Sequence, residues 1–235
     1  MAASGRLQEL FMITLTALKW VPPFAQGQVR DHRIRWVLKE VGWPYRVELI
    51  DTVVQQDPGY RLEQPFGQVP LLREDGRPAL FETGAIVLDV ATRSGRLLPE
   101  AEADRARAVC WLFAALNSVE PFLAQLAEVD FFMKDEADKA RRRPGVIEMI
   151  ETRLGQLDVV LQDRAYLVGD AFTVADLMMS SVMKIVGHTD LLARHAAVAA
   201  HRDRCFARPA YREAIAEQRR DIAAHGPRDM KYPSA

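Results

Sequence analysis

The chain predicts an α/β half followed by an all-helical half, on three observations. Before residue 100 short apolar runs alternate between strand and helix spacing, and after Leu97-Leu98-Pro99-Glu100 every apolar run recurs at helical spacing. The third is Gly169-Asp170-Ala171-Phe172-Thr173-Val174-Ala175-Asp176, a helix start in front of a strongly apolar run. In the first half, Ile13 to Leu18 reads as a buried strand, about Gln28 to Val41 as a helix, and Tyr45 to Ile50 as a second strand. Asp57-Pro58-Gly59 marks a loop. Two short strands then flank the turn Glu74-Asp75-Gly76-Arg77, and Ile86, Val87 and Val90 give the spacing of a helix that starts at Thr83. Strand, helix, strand, hairpin and helix is the thioredoxin-like order, predicted over residues 12–94.

The helical half is predicted over residues 103–225. Val109, Leu112, Phe113, Leu116, Val119, Leu123 and Leu126 line one long helix, which Pro121 should kink rather than end. Ile147, Ile150, Leu154, Leu157 and Leu161 line the next, after Arg141-Arg142-Arg143 and Pro144-Gly145, which read as a solvated loop. Thr173 is an N-cap whose N–H Asp176 can reach back to accept, and Phe172 can staple onto Leu177. That role is structural, worth about 1–2 kcal/mol.

Composition narrows the function. With 235 residues, 49% of them hydrophobic, and a net charge of −1, the chain can bury a sizeable core and has no basic excess for nucleic acid. Cys110 and Cys205 both fall in predicted helices without metal-ligand spacing and read as buried thiols, which suits a reducing cytoplasm. The five histidines share no metal-binding face, so no metal is expected. Arg6 and the apolar run Leu10 to Leu18 imitate a secretory signal, but no small-residue cleavage site follows; Met12 is the expected functional start, and no stretch reads as a membrane span.

The chemistry concentrates between Gln64 and Ile86. Gln68-Val69-Pro70 opens the first hairpin strand, where a proline cannot donate a ladder hydrogen bond, and Val69-Pro70 is a candidate cis peptide. Such a bond would turn the N–H and C=O of Val69 away from the sheet, toward an extended peptide. The helix after Glu82-Thr83 offers first-turn N–H groups without intrahelical partners, and the Thr83 hydroxyl adds a donor for an anion. A reader of peptide backbone beside a reader of carboxylate suggests a small peptide-like acid.

These residues resemble the glutathione-binding half of the glutathione transferase family, in which a Val-Pro is followed by Glu-Ser or Glu-Thr. The Phe172-Thr173-x-Ala175-Asp176 capping motif is similar to that of the family's helical domains, so the resemblance spans both halves. It implies a glutathione transferase fold, with glutathione as co-substrate and no metal. Gln68, Val69 and Pro70 would contact the cysteinyl part, and Glu82 and Thr83 the ammonium and carboxylate of the γ-glutamyl end. It also implies a homodimer, and a small electrophilic or hydrophobic second substrate held between the first loop and the helix after residue 103, through Arg107, Cys110, Trp111 or Ala114.

The first loop departs from the family pattern. Lys19-Trp20-Val21-Pro22-Pro23-Phe24-Ala25-Gln26-Gly27-Gln28 holds no Tyr, Ser or Cys, and Pro22 stands where thiol-bearing members carry cysteine. A proline offers no nucleophile, so disulfide exchange through a protein thiol is not expected, and no catalytic residue is assigned. A thiolate could still gain from the free N–H groups of the helix expected at Gln28. Lys19, Gln26, Gln28 and Thr16 are further candidate donors, although Lys19 reads equally as a solvated loop lysine and Thr16 as a strand residue, while Trp20 and Phe24 either line an acceptor pocket or cover the domain boundary. Arg30, Asp31 and Arg33 read as surface or interdomain pairs. Two functions remain open: a transferase that directs the glutathione thiolate at an electrophile, or a non-catalytic glutathione-binding or partner-recognition protein on the same fold.

Overall fold

The computed structural model describes residues 12–231; the expected extension over residues 1–11 lies outside them. The chain divides into two compact units, one formed by residues up to Val90 together with those from Pro209 onward, the other by Ala91–Arg208.

In the first unit β1 (Ile13–Leu18) is central, parallel to β2 (Tyr45–Ile50) and antiparallel to β3 (Leu72–Glu74), giving the order β2-β1-β3. The expected second hairpin strand shrinks to one antiparallel bridge, with Leu72 and Leu80 exchanging N–H···O bonds of 2.8 Å. The register explains why. The next hydrogen-bonded pairs would be Glu74 with Pro78 and Pro70 with Glu82, and each contains a proline that has no N–H to give.

Helix α1 (Asp31–Val41) starts three residues later than periodicity suggests, after turns at Gln26–Arg30, and ends at Gly42 with φ +75°, a left-handed cap that glycine adopts without steric cost. Between Ile50 and β3 the expected loop is two short helices, α2 (Thr52–Gln56) and α3 (Pro58–Glu63). Asp51 and Asp57 cap them by accepting two backbone N–H bonds each, and Pro58 takes the first helical position, where a missing N–H costs nothing. Helix α4 (Thr83–Ser94) starts where predicted.

Chain order places the last helix, α10 (Pro209–Ala223), in the predicted helical domain, but it packs on α1 in the first unit. Flanked by β1 and α10, α1 buries polar residues as well as apolar ones, and Trp36 meets Tyr211 edge-on at 4.8 Å. After α10 the chain stays on this unit: Met230 is buried and the Thr52 hydroxyl donates to the Lys231 carbonyl. The tail expected to be a loose end or a flap is thus tied down as far as residue 231, and the rest lies outside the described residues.

In the second unit α5 (Glu102–Ala114) runs through a π turn, Ala115–Val119, into α6 (Glu120–Ala127) and a second π turn, Glu128–Phe132. The widened turn absorbs Pro121, so the run continues as predicted. This Glu102–Phe132 stretch is, against the sequence reading, long and apolar enough to cross a membrane by length and composition. Leu112, Leu123 and Leu126 are wholly buried and the run packs on α8 (Val174–Met183), with 33% of its apolar window buried. Helix α7 (Glu136–Leu161) starts before the arginine cluster and contains Pro144, so Arg141-Arg142-Arg143 is helical rather than a loop. Pro144 is exposed, leaving water to satisfy the carbonyl its ring cannot serve. Helices α8 (Val174–Met183) and α9 (Ala196–Phe206) complete the unit, α8 being buried along its whole length. Cys110 is exposed, contrary to expectation, because it lies on the outer face of α5 opposite Leu112; Cys205 is buried, and burial, with the Asp176 carboxylate, pushes its thiol up to about 12.

Candidate functional site

The Val69–Pro70 bond is cis. Among the described residues neither the N–H nor the C=O of Val69 has a hydrogen-bond partner. The corner that presents them is held from both sides. The Tyr60 hydroxyl donates to the Gln68 carbonyl at 2.6 Å. After the proline, the Leu71 N–H donates to the Thr16 hydroxyl at 2.8 Å, and the Thr16 N–H to the Leu71 carbonyl at 2.9 Å. Thr16 is therefore no donor to a ligand thiolate; it is wholly buried and occupied by Leu71 and Tyr60. Val69 and Phe81 both pack against the buried Ile50, Tyr60 and Leu71, which brings the residues before α4 to the same corner.

Glu82 adopts φ +66°, in the left-handed region that side chains with a Cβ rarely occupy. Its carboxylate is exposed and has no partner among the described residues. The first bond of α4 runs from the Ile86 N–H to the Glu82 carbonyl, so the N–H groups of Thr83, Gly84 and Ala85 precede the ladder. Thr83 is buried and its hydroxyl oxygen accepts from Arg33 Nη1 at 3.2 Å. A free carboxylate, a hydroxyl and open helix N–H groups in succession suit an α-amino acid end, ammonium toward Glu82 and carboxylate toward α4.

In the first loop Pro22 and Phe24 are exposed, Trp20 is half-buried, and Gln26 is turned back to donate to the Val21 carbonyl at 3.2 Å. Lys19 pairs with Asp51 at 3.3 Å. Burial pushes the Asp51 carboxyl up, but the Val54 and Val53 N–H groups and the Lys19 ammonium outweigh it and hold it below the usual carboxylate range. Because α1 begins at Asp31, the helix end expected to meet a thiolate carries a carboxylate in its first turn. That carboxylate is spoken for: Asp31 Oδ2 accepts from Arg35 at 2.8 Å and Oδ1 from Gln218 at 2.5 Å, while the same Gln218 amide bonds the Val29 carbonyl at 2.9 Å. Burial raises the Asp31 pKa despite Arg35. Asp31 and Arg33 are thus buried rather than surface groups, because α10 covers this face of α1; Arg30 is exposed.

Trp111 is half-buried on α5, in the second unit. Among the described residues no three His, Cys, Asp or Glu side chains are grouped to hold a metal ion. Sequence reasoning missed Tyr60 and the bond from Arg33 to Thr83, while Thr16 is the strand residue it was read as. A tyrosine between two acid-capped short helices and an arginine in an apolar helix carry no local signature; their roles exist only across 8 and 50 residues of chain.

Comparison with known proteins agrees with this geometry. Residues 31–93 match the family model for the glutathione S-transferase N-terminal domain, and residues 122–217 that for the C-terminal domain. The chain is 32% identical over 162 residues to a glutathione S-transferase of Hyoscyamus muticus, covering 64% of this chain and 75% of that protein. It is 27% identical over 158 residues to the disulfide-bond oxidoreductase YfcG of Escherichia coli (62% and 71%). Among solved structures, a Burkholderia graminis glutathione transferase with two glutathione molecules bound per subunit superposes with a TM-score of 0.75 at 24% identity, covering 87% of each chain. One from Pseudomonas putida with a glutathione disulfide bound gives 0.76 at 22%, covering 87% of this chain and 90% of that one. With both domain models matched in order and a relative above 30% identity aligned over three quarters of its length, the chain belongs to the glutathione S-transferase family.

Proposed function

We propose that this protein binds glutathione at the Val69–Pro70 corner and directs its thiolate at a small hydrophobic electrophile. The carrying observation is the unpartnered N–H and C=O of Val69, held rigid by Tyr60 and Thr16 beside the open first turn of α4. Val69 pairs with the cysteinyl backbone, with Gln68 and Pro70 flanking it; Glu82 takes the ammonium and Thr83 the carboxylate. The bound thiol loses its proton to water, and the thiolate forms the new S–C bond at the electrophilic carbon, from which a leaving group departs with the bonding electron pair or, in an addition, the π pair moves to the neighbouring atom and is protonated by water. With no hydroxyl or thiol in the first loop, and with the first-turn N–H groups of His32 and Arg33 bonded to the Val29 and Arg30 carbonyls, stabilisation of the thiolate falls to the loop around Lys19 and Pro22. Trp20 and Phe24 are the proposed aromatic lining for the second substrate on the first unit.

Two free cysteines suit a reducing compartment, and we place the protein in the cytoplasm. It is proposed to act as a homodimer, for which Leu62 and Phe66, 89% and 64% exposed, offer apolar surface on the first unit.

Titration calorimetry with glutathione, paired with the ultraviolet absorbance of the bound thiolate across pH, tests this reading. Saturable binding with a thiol pKa below that of free glutathione is expected. Binding with an unshifted thiol would favour a carrier, and no binding would remove the site assignment.

A further inference from the structure

We infer that Lys19 is the catalytic residue that stabilises the bound thiolate, and that Asp51 is the positioning residue that holds the lysine there. The inference rests on the glutathione reading above and names the group in the first loop that carries one step of it.

Strand register brings Lys19 to the proline corner. Ile13, Thr14 and Leu15 of β1 face Glu74, Arg73 and Leu72 of β3, and the Thr16 N–H bonds the Leu71 carbonyl at 2.9 Å. Continued at that step, Leu18 falls opposite Val69 and Lys19 opposite Gln68. Leu18 and Val69 pack against the same buried Ile50, Tyr60 and Leu71, as that register requires. Neighbouring strands lie about 4.8 Å apart, so a cysteinyl residue paired with Val69 carries its sulfur within reach of the four-carbon stem at position 19. On the other side of β1 the Lys19 N–H bonds the Ile50 carbonyl at 3.0 Å, which sets Asp51, the next residue, beside it.

Asp51 is 4% exposed; its Oδ1 accepts from the Val53 and Val54 N–H groups at 3.1 and 3.2 Å, and its Oδ2 from Lys19 Nζ at 3.3 Å. The carboxylate is therefore fixed by α2, and two backbone dipoles share its charge. An ammonium has three N–H groups, of which Asp51 takes one. The other two have no partner among the described residues, and the Lys19 side chain is 30% exposed, open to a ligand. The other carboxylates of this edge do not compete for it: Asp31 is bonded by Arg35 and Gln218, and Glu82 stands before α4. An opposite charge within about 4–6 Å favours an ionised group, so Lys19 supplies by charge what a loop without Tyr, Ser or Cys cannot supply by a side-chain hydrogen bond or thiol. The thiol proton passes to water and the sulfur stays behind as thiolate against the ammonium.

The test reads the ionisation of bound glutathione from thiolate absorbance across pH, and affinity by calorimetry with S-methylglutathione, which has no thiol to ionise. Lys19→Met should lower the thiolate fraction about tenfold at a fixed pH below the thiol pKa, with S-methylglutathione affinity changed by less than about threefold. Lys19→Arg keeps the charge and should retain most of the thiolate. Asp51→Asn separates positioning from charge, because asparagine still caps α2. Loss of a negative charge alone would raise the thiolate fraction, whereas release of Lys19 should lower it by about threefold or more. If Asp51→Asn fails to fold, Asp51→Ser, which also caps a helix, takes its place. The proposal is overturned if Lys19→Met leaves the thiolate fraction unchanged, or if it weakens S-methylglutathione instead, as a contact to a ligand carboxylate would. It is equally overturned if the Asp51 variant leaves the thiolate fraction unchanged or raises it. A wild-type protein that binds neither ligand would remove the underlying site reading, a result distinct from these.

Discussion

Glu82 combines an unfavourable backbone conformation with a charge that has no partner among the described residues, and both suit the ligand role proposed for it. At φ +66° any residue with a Cβ carries a cost of about 1 kcal/mol that glycine escapes. Glu82→Ala should therefore weaken glutathione binding about tenfold or more and leave thermal stability nearly unchanged. Glu82→Gly should weaken binding as much while melting no lower than the alanine variant, and higher to the extent that relief of strain exceeds the extra freedom of the unfolded chain. Calorimetry and thermal melts on the pair check both, and unchanged affinity would remove Glu82 from the site. Thr16 has the opposite character, being buried and structural. Thr16→Val preserves its shape but leaves the buried Leu71 N–H without its acceptor, so a loss of about 1–3 kcal/mol in urea unfolding is expected.

Helix ends show how much a local signal can carry. The α8 cap forms as its residues suggest: the Thr173 hydroxyl accepts from the Ala175 N–H at 3.2 Å, and Asp176 accepts from the Thr173 N–H at 2.9 Å. Asp176 goes further than a capping box requires, since its other oxygen accepts from the Leu167 N–H at 2.8 Å and pairs with His201 at 2.9 Å. Thr173→Ala should cost about 1 kcal/mol and Asp176→Ala about 3 kcal/mol or more, because the second strands several buried donors. Equal costs in denaturant titration would show that the wider network contributes nothing. The first and second of these bonds lie within three residues and were legible; those to Leu167 and His201 span 9 and 25 residues and were not. The same contrast runs through α1. Gly42 marks its end locally, but at its start Gln218 and Arg35 bond the Asp31 carboxylate, which the sequence leaves open as a surface or interdomain pair.

Over the whole chain, proton binding by carboxylates gives opposing contributions to stability. Burial pushes the carboxyls of Asp51, Asp130 and Glu217 up, but hydrogen bonds and cations outweigh it: Val54 and Lys19 for Asp51, Arg143 and His188 for Asp130, Lys39, Tyr45 and Arg35 for Glu217. Their folded pKa values lie below the ordinary 3.8 to 4.5, so the stability they contribute is complete above that range and is lost as pH falls through the folded values. Asp31 has the reverse sign. Its folded pKa lies above 3.8, so the native state takes up its proton first and gains stability as pH falls through that value toward 3.8. The urea midpoint should decline once pH drops below about 4. In Asp31→Asn, which lacks the offset, it should already fall more steeply between neutral pH and that point; parallel curves would contradict the assignment.

What the sequence determined by itself was whatever short-range chemistry specifies: the strands Ile13–Leu18 and Tyr45–Ile50, the cap at Thr173, the proline corner and the Glu82-Thr83 pair ahead of α4. Each depends on neighbours within one turn or one hairpin. Tertiary structure alone decided that α10 returns to α1, that Asp31, Arg33 and Arg35 are buried, and that Tyr60 and Thr16 clamp the corner. Those outcomes need partners up to 187 residues away, as in the bond from Gln218 to Asp31. A buried charge is stable only when such a partner arrives, and the spacing of residues along one segment holds no record of which distant side chain will face it.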